Sequence, residues 1–283
     1  MNSYMWSMNH PRNLALLLAT VVLACNAGAA PAISKAKAKE NAKAAARQTA
    51  ADSAEAKAQY EQGRRYKTGD GVTKDAGEAL KCFRRAADLG HAEAQFSLGV
   101  IHETGQGTAK DPVEAAAWYR KAAEQGLPDA QFKFGLCLES GDGVAKDSAE
   151  AARWYRKAAD QGVAMAQHNL GSLYSAGDGV AKDDAEAVRW FRKAGERGFS
   201  RSQRNLGICY AQGIGVAKDQ VEAFAWLNLA VTRLEQEGAS ADDVVEATRR
   251  ARDELGDELT PEQVVQAHGR AKELRAKIEA KAK

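Results

Sequence analysis

The chain has few of the residues that build small stapled scaffolds or metal centres. It contains 4 cysteines and 5 prolines in 283 residues, and aromatic side chains make up 7%. If Cys25 left with an N-terminal leader, an odd three cysteines would remain, Cys82, Cys137 and Cys209, which fits no disulfide framework. No Cys-x-x-Cys or His-Glu-x-x-His spacing occurs, and His91, His102, His168 and His268 fall in unrelated positions. The composition therefore holds no nucleophile, base and metal constellation of the kind catalysis requires. Ser34-Lys35-Ala36-Lys37 formally matches Ser-x-x-Lys but has no partner motif. The chain is expected to be non-enzymatic, with no cofactor and no metal.

Excess charge is lacking too. Lysine and arginine total 40 against 38 acidic residues, a net charge of +2, too little to imply a nucleic-acid surface or a membrane surface. Long apolar runs are absent. Leu14 to Ala24 is an apolar run interrupted only by Thr20, but a bilayer span needs about 20 such residues. With Arg12 before it and Ala27 and Ala29 after it, this run reads as a signal peptide over 1–29, cleaved after Ala29. Val22-Leu23-Ala24-Cys25 offers a competing lipobox reading, poor at Leu23, in which Cys25 would carry a lipid anchor. Periplasmic or secreted location is the expectation, with lipid anchoring in the cell envelope as the alternative. Residues 30–54 are rich in alanine and lysine with almost nothing large to bury. They read as a flexible, solvated linker, helical by propensity at most, with a basic tail that tethers a structural protein to the anionic cell envelope as the alternative.

What is present in quantity is glycine, 25 residues, and its placement is periodic. Gly177-Asp178-Gly179-Val180-Ala181-Lys182-Asp183 recurs from Gly69, Gly105, Gly141 and Gly213, every 36 residues. A fixed period of this size marks stacked supersecondary units. The repeats run 55–90, 91–126, 127–162, 163–198 and 199–238, and 239–283 supply capping helices.

Each repeat divides into two helices. The first, helix A, carries Gly63, Gly99, Gly135, Gly171 or Gly207, with Ala58, Ala94, Ala130, Ala166 or Ser202 five positions earlier. Small residues at helical spacing mark where a neighbouring helix approaches closely. The glycine stretch then breaks the helix. Asp75, Asp111, Asp147, Asp183 or Asp219 follows, three residues before Glu78, Glu114, Glu150, Glu186 or Glu222. This predicts an N-cap with a capping-box partner, opening helix B. Helix B bears Trp118-Tyr119, Trp154-Tyr155 or Trp190-Phe191 and ends at Gly90, Gly126, Gly162 or Gly198. Such hairpins cannot bury their own aromatic faces and must stack. At ~10 Å per packed layer, Cys137 and Cys209, two repeats apart, are too distant for a disulfide; all three cysteines are expected as buried free thiols. After the repeats, Ser240 could cap a helix to Leu255, and Thr260-Pro261-Glu262-Gln263 opens a last helix fraying near Ala280.

Ala166-x-x-x-Leu170-Gly171-x-x-Tyr174, Gly177-x-Gly179-Val180-x-x-Asp183 and Glu186-Ala187-x-x-Trp190-Phe191-x-Lys193-Ala194 resemble the Sel1-like repeat family, a relative of the tetratricopeptide repeat. The resemblance implies an all-α, right-handed α-α superhelical solenoid of five repeats, a protein-binding scaffold role, and a concave face lined by helix A. A β-lactam-binding or hydrolysing activity, linked to Cys-rich relatives with a cysteine pair in each repeat, is a weaker implication because those pairs are missing here.

Because the framework repeats, function is sought where it varies. Tyr60, Phe96, Phe132, His168 and Arg204 stand three before the helix A glycine, and Val100 and Leu136 one after it on the same strip. Phe96, Val100, Phe132 and Leu136 are expected to form an exposed apolar patch beside Asn169 and Asn205, suited to a peptide or protein partner; packing between repeats is the alternative. The aspartates Asp70, Asp142 and Asp178 suggest turn chemistry rather than calcium, which wants six to eight converging oxygens. Lys74, Lys110, Lys146, Lys182 and Lys218 form a row along the loop edge. The chain is expected to be a monomer.

Overall fold

The computed structural model describes residues 32–238 and 243–282. The expected signal segment, Cys25 and the Ser240 cap lie outside them. Among the described residues there are helices and turns only. Helix α1 covers Ala32–Thr68, so the segment read as a linker takes helical backbone from Ala32, and its side chains from residue 40 to 50 are exposed. The chain divides into two compact units between Ala54 and Glu55, and the second carries the repeats.

That unit is a helical solenoid. From residue 55, α1 supplies helix A of the first repeat, and α2 (Ala76–Asp88) is its helix B. The next hairpins are α3 (Ala92–Thr104) with α4 (Pro112–Glu124), α5 (Pro128–Ser140) with α6 (Ser148–Asp160), α7 (Ala164–Ala176) with α8 (Asp184–Gly195), and α9 (Ser200–Gln212) with α10 (Gln220–Gln236). Helices α11 (Asp243–Glu258) and α12 (Pro261–Ala282) form the cap.

The turn between helices A and B is closed from both sides. Each helix A ends on a left-handed glycine, as at Gly141, whose N–H donates to the Cys137 carbonyl at 2.8 Å. The capping aspartate accepts from the N–H three residues on, 2.8 Å from Glu150 to Asp147. The expected reciprocal bond does not form. The Asp147 N–H is already given to the Leu138 carbonyl at 2.9 Å. The glutamate turns instead to its own helix: Glu114, Glu150, Glu186 and Glu222 accept from the indole N–H of Trp118, Trp154, Trp190 and Trp226 at 2.8–3.2 Å. In the first repeat Cys82 replaces the tryptophan, and Glu78 takes Lys81 at 2.7 Å. Thr260 and Gln263 do form the two reciprocal bonds of a capping box, at 2.9 and 3.3 Å.

The second turn glycine has a stacking role as well as a conformational one. At Gly143, φ is +74°, and a Cβ would stand 2.0 Å from the Pro112 carbonyl oxygen, at the start of helix B one repeat earlier. Consecutive turns thus lie backbone to backbone.

Packing follows the small positions. Ala94, Ala130, Ala166 and Ser202 are 0% exposed, whereas Ala58 is exposed because no repeat precedes its own. Leu98, Leu170 and Leu206 are fully buried beside them. Each buried cluster spans at least two repeats, one running from Ala115 to Trp190 and another from Ala187 through the cap residues Leu255, Leu259 and Leu274. The cap is also clamped by charge. Arg270 donates to Glu222 at 2.7 and 3.1 Å, on the carboxylate that holds Trp226. Cys82, Cys137 and Cys209 are free thiols. Cys82 and Cys209 are buried, but Cys137 is half-buried. Burial pushes the Cys137 and Cys209 thiols up to about 11.

Candidate protein-binding surface

The helix A strip is shaped by the ring that helix B lays against it. A Cβ at Gly99, Gly135 or Gly171 would meet Tyr119, Tyr155 or Phe191 at 2.5, 2.7 and 2.8 Å. The glycine therefore lets the ring sink onto helix A, and the residue one turn earlier closes over it. Phe96 packs on Tyr119 with centroids 5.7 Å apart, Phe132 on Tyr155 at 5.9 Å and His168 on Phe191 at 5.6 Å. Tyr60 stacks on His91 at 4.6 Å and tilts over Phe83.

This corrects the expected exposed apolar patch. Phe132 is 8% exposed and belongs to the core, while Phe96, Val100 and Leu136 are half-buried against the same cluster. Arg204 is half-buried, with its Nε enclosed and unpartnered among the described residues.

The strip continues one and two repeats further on. Ser172, Ser175, Ala176, Asn205, Ile208, Cys209 and Ile214 surround a depression of ≈ 320 Å³ with Phe191 in its wall. Its lining carries no formal charge. Asn205 lines this depression rather than the expected apolar patch, and Asn169 lies beside the Tyr155 hydroxyl on the neighbouring repeat. His168 points its Nδ1 at the Ser202 hydroxyl, 2.8 Å away. Burial, with the nearby Arg201 charge, lowers its pKa to about 4.

Two polar systems escape a reading of the sequence pattern by apolar face alone. Gln95, Gln131, Gln167 and Gln203 occupy one buried position on helix A and donate to the last turn of the preceding helix B, to Ala87, Ala123, Ala159 and Gly195 carbonyls at 2.9–3.3 Å. Gln125 and Gln161 extend the ladder by donating to Gln95 and Gln131 at 2.8 Å. The signal for it is a glutamine recurring at the repeat period on an otherwise apolar face. The second system joins helix B to helix A within a repeat: Tyr119 donates to Glu103, and Tyr155 to Glu139. Burial opposes charge on Glu103, but the bonds from Tyr119 and from Lys133, at 2.9 and 3.0 Å, outweigh it and hold the carboxyl below its ordinary range.

On the opposite helix, Lys121, Lys157 and Lys193 place their ammonium groups 3.6–3.8 Å from the Trp118, Trp154 and Trp190 ring centroids. The loop lysines Lys74, Lys110, Lys146, Lys182 and Lys218 are all exposed. Among the described residues no group of three or more His, Cys, Asp or Glu side chains could hold a metal, and no helix is long and apolar enough to cross a membrane.

Comparison with known proteins agrees with this architecture. A Sel1 repeat protein of Oxalobacter formigenes is 39% identical, with a TM-score of 0.61 over 63% of this chain and 73% of that one. The protein c5321, a protective antigen present in uropathogenic Escherichia coli strains and displaying an SLR fold, is 33% identical with a TM-score of 0.51; the match covers 79% of this chain and 54% of the antigen, about half its length. No curated protein matches significantly. The Sel1 repeat profile matches residues 56–91, 92–127, 128–163, 164–199 and 200–233. Proteins of this kind generally mediate protein–protein interaction on a non-enzymatic scaffold fold. With five consecutive matches over most of its length, the chain belongs to the Sel1 repeat family.

Proposed function

We propose that this protein is an exported, non-enzymatic scaffold that holds an extended peptide or protein segment along the helix A strip of repeats three to five. The observation that carries this reading is the uncharged depression between α7 and α9. It combines hydrogen-bonding side chains, Ser172, Ser175 and Asn205, with an apolar lining of Phe191 and Ile208. Such a mixture satisfies a peptide's backbone amides while burying a small side chain. Export is supported by the apolar Leu14–Ala24 run and the Ala27 and Ala29 site.

Panning a displayed library of random linear peptides on the full chain tests the surface. Ser172→Tyr together with Ser175→Tyr fills the depression while leaving Gly171 and the Phe191 ring beneath it unchanged in sequence. Peptides retained equally by wild type and this variant would reject the strip as the binding surface. The anchored alternative rests on Val22-Leu23-Ala24-Cys25. Mass spectrometry of the mature protein separates the two: an N-terminus at Ala30 excludes it, and a lipidated Cys25 establishes it.

A further inference from the structure

The repeats provide an internal comparison at Glu103 and Glu139. Both lie at the same position of helix A, and each accepts a hydrogen bond from the helix B tyrosine of its own repeat, Tyr119 or Tyr155. One repeat further on, Lys133 completes the first of these sites, its Nζ 2.9 and 3.0 Å from the two Glu103 oxygens. At the second site Asn169 stands in the place of Lys133. Glu139 forms no ion pair among the described residues, and it is half-buried, so its carboxylate is partly stripped of water yet open to solvent. Resting on the proposed peptide-binding strip, we propose that Glu139, with Tyr155 and Asn169 around it, is a receptor for a primary ammonium group, the side chain of a lysine in the partner.

The chemistry supports a lysine occupant. A carboxylate already fixed by a tyrosine hydroxyl presents its remaining lone pairs in a set direction, and the neighbouring repeat supplies the geometry in which an ammonium meets them. Lysine is a compact charge with three donors, and the Asn169 side-chain oxygen offers a neutral acceptor for another of them. A negative group is excluded, since it would face Glu139 without compensation. The uncharged depression lies one repeat further along. At ~10 Å per repeat and ~3.3 Å per extended residue, the partner's lysine stands about three residues from the small or polar side chain that enters it.

Two probes test the proposal. In the first, n-butylammonium chloride, a lysine side-chain mimic, is titrated into the isotope-labelled full chain, with n-butanol as the uncharged control. Signals of the Tyr155 ring and the Asn169 amide should shift saturably with the amine alone. Glu139→Gln, which keeps an acceptor for Tyr155, should weaken this at least about tenfold. Asn169→Lys, which rebuilds the internal pair seen at Glu103, should abolish it. Equal shifts in all three proteins, or none in wild type, overturn the ammonium site. In the second, peptides panned on wild type should carry an enriched lysine that is lost on both variants. Peptides that bind the strip without lysine enrichment overturn the proposal and leave the peptide-binding reading standing. Amine binding at Glu139 with no strip-dependent peptide keeps the ammonium site and rejects the peptide-binding reading.

Discussion

The Tyr119 hydroxyl donates to Glu103 across the two helices of one hairpin, and the two residues vary together along the stack. Tyr155 faces Glu139, whereas the equivalent pair is Phe83 and Lys67 in the first repeat, Phe191 and Ser175 in the fourth and Leu227 and Ala211 in the fifth. A helix A carboxylate is present only where helix B offers a hydroxyl. Glu103 without Tyr119 would stand against a ring edge with fewer donors, which costs about 1–2 kcal/mol. Tyr119→Phe should therefore destabilise by about that amount, and by less when Glu103 is already replaced by serine, although Glu103→Ser by itself also loses the Lys133 pair. Denaturant unfolding of the two single variants and the double variant checks this, and additive effects would count against the coupling.

Gly143 and Gly126 separate backbone strain from stacking. Both have positive φ, +74° and +92°, but a Cβ at Gly126 would meet nothing within 4 Å, whereas at Gly143 it would strike the Pro112 carbonyl oxygen at 2.0 Å. Gly126→Ala should cost about 1–2 kcal/mol from left-handed strain alone. Gly143→Ala should cost about 1–3 kcal/mol more, since the adjoining repeat must move. Equal midpoints for the two variants in urea would refute the stacked-turn account.

His168 makes stability depend on pH. Its folded pKa, about 4, lies below the ordinary 6.5 because burial and Arg201 oppose the imidazolium. Above pH 6.5 neither state takes the proton. As pH falls from 6.5 towards 4 the unfolded chain binds it and the folded chain does not, so stability is lost, by up to about 3 kcal/mol over that window. Phe132 with Ala166 holds the equivalent positions one repeat earlier. His168→Phe with Ser202→Ala should thus reduce the acid loss, and a wild-type minus variant difference that stays constant from pH 7 to 4.5 would disprove the assignment.

His102 is 7% exposed, and neither ring nitrogen has a partner among the described residues. Leu138 fills the same slot in the next repeat. His102→Leu should stabilise by about 1–3 kcal/mol, because it removes buried polar atoms with no compensating bond. A thermal melt that falls or stays unchanged would contradict this.

The 36-residue period, the glycine turn and the capping aspartates are legible in the sequence because each acts over a few residues. Chain geometry decides where a helix must stop, whatever surrounds it. The same period implies the stack, since no single hairpin could bury Trp154 and Tyr155 alone. The repeat capping box fails to close for a physical reason. Glu150 has two partners within reach, and only the turn's return to Leu138 removes the Asp147 N–H from competition and leaves the Trp154 indole as the donor. The strip departs from its sequence pattern similarly. Phe132 looks like a presented aromatic until the depth of Tyr155 against Gly135 is known.

Sequence by itself determined the all-α solenoid, its five repeats and the positions that vary, because backbone conformation and apolar spacing are local properties repeated in register. Tertiary structure decided which of the variable positions remain open. Phe132 is buried over the Tyr155 ring while Phe96, Glu139, Ser172, Ser175 and Asn205 are left half-buried, because exposure depends on how far a neighbouring helix approaches, a distance set by packing between repeats.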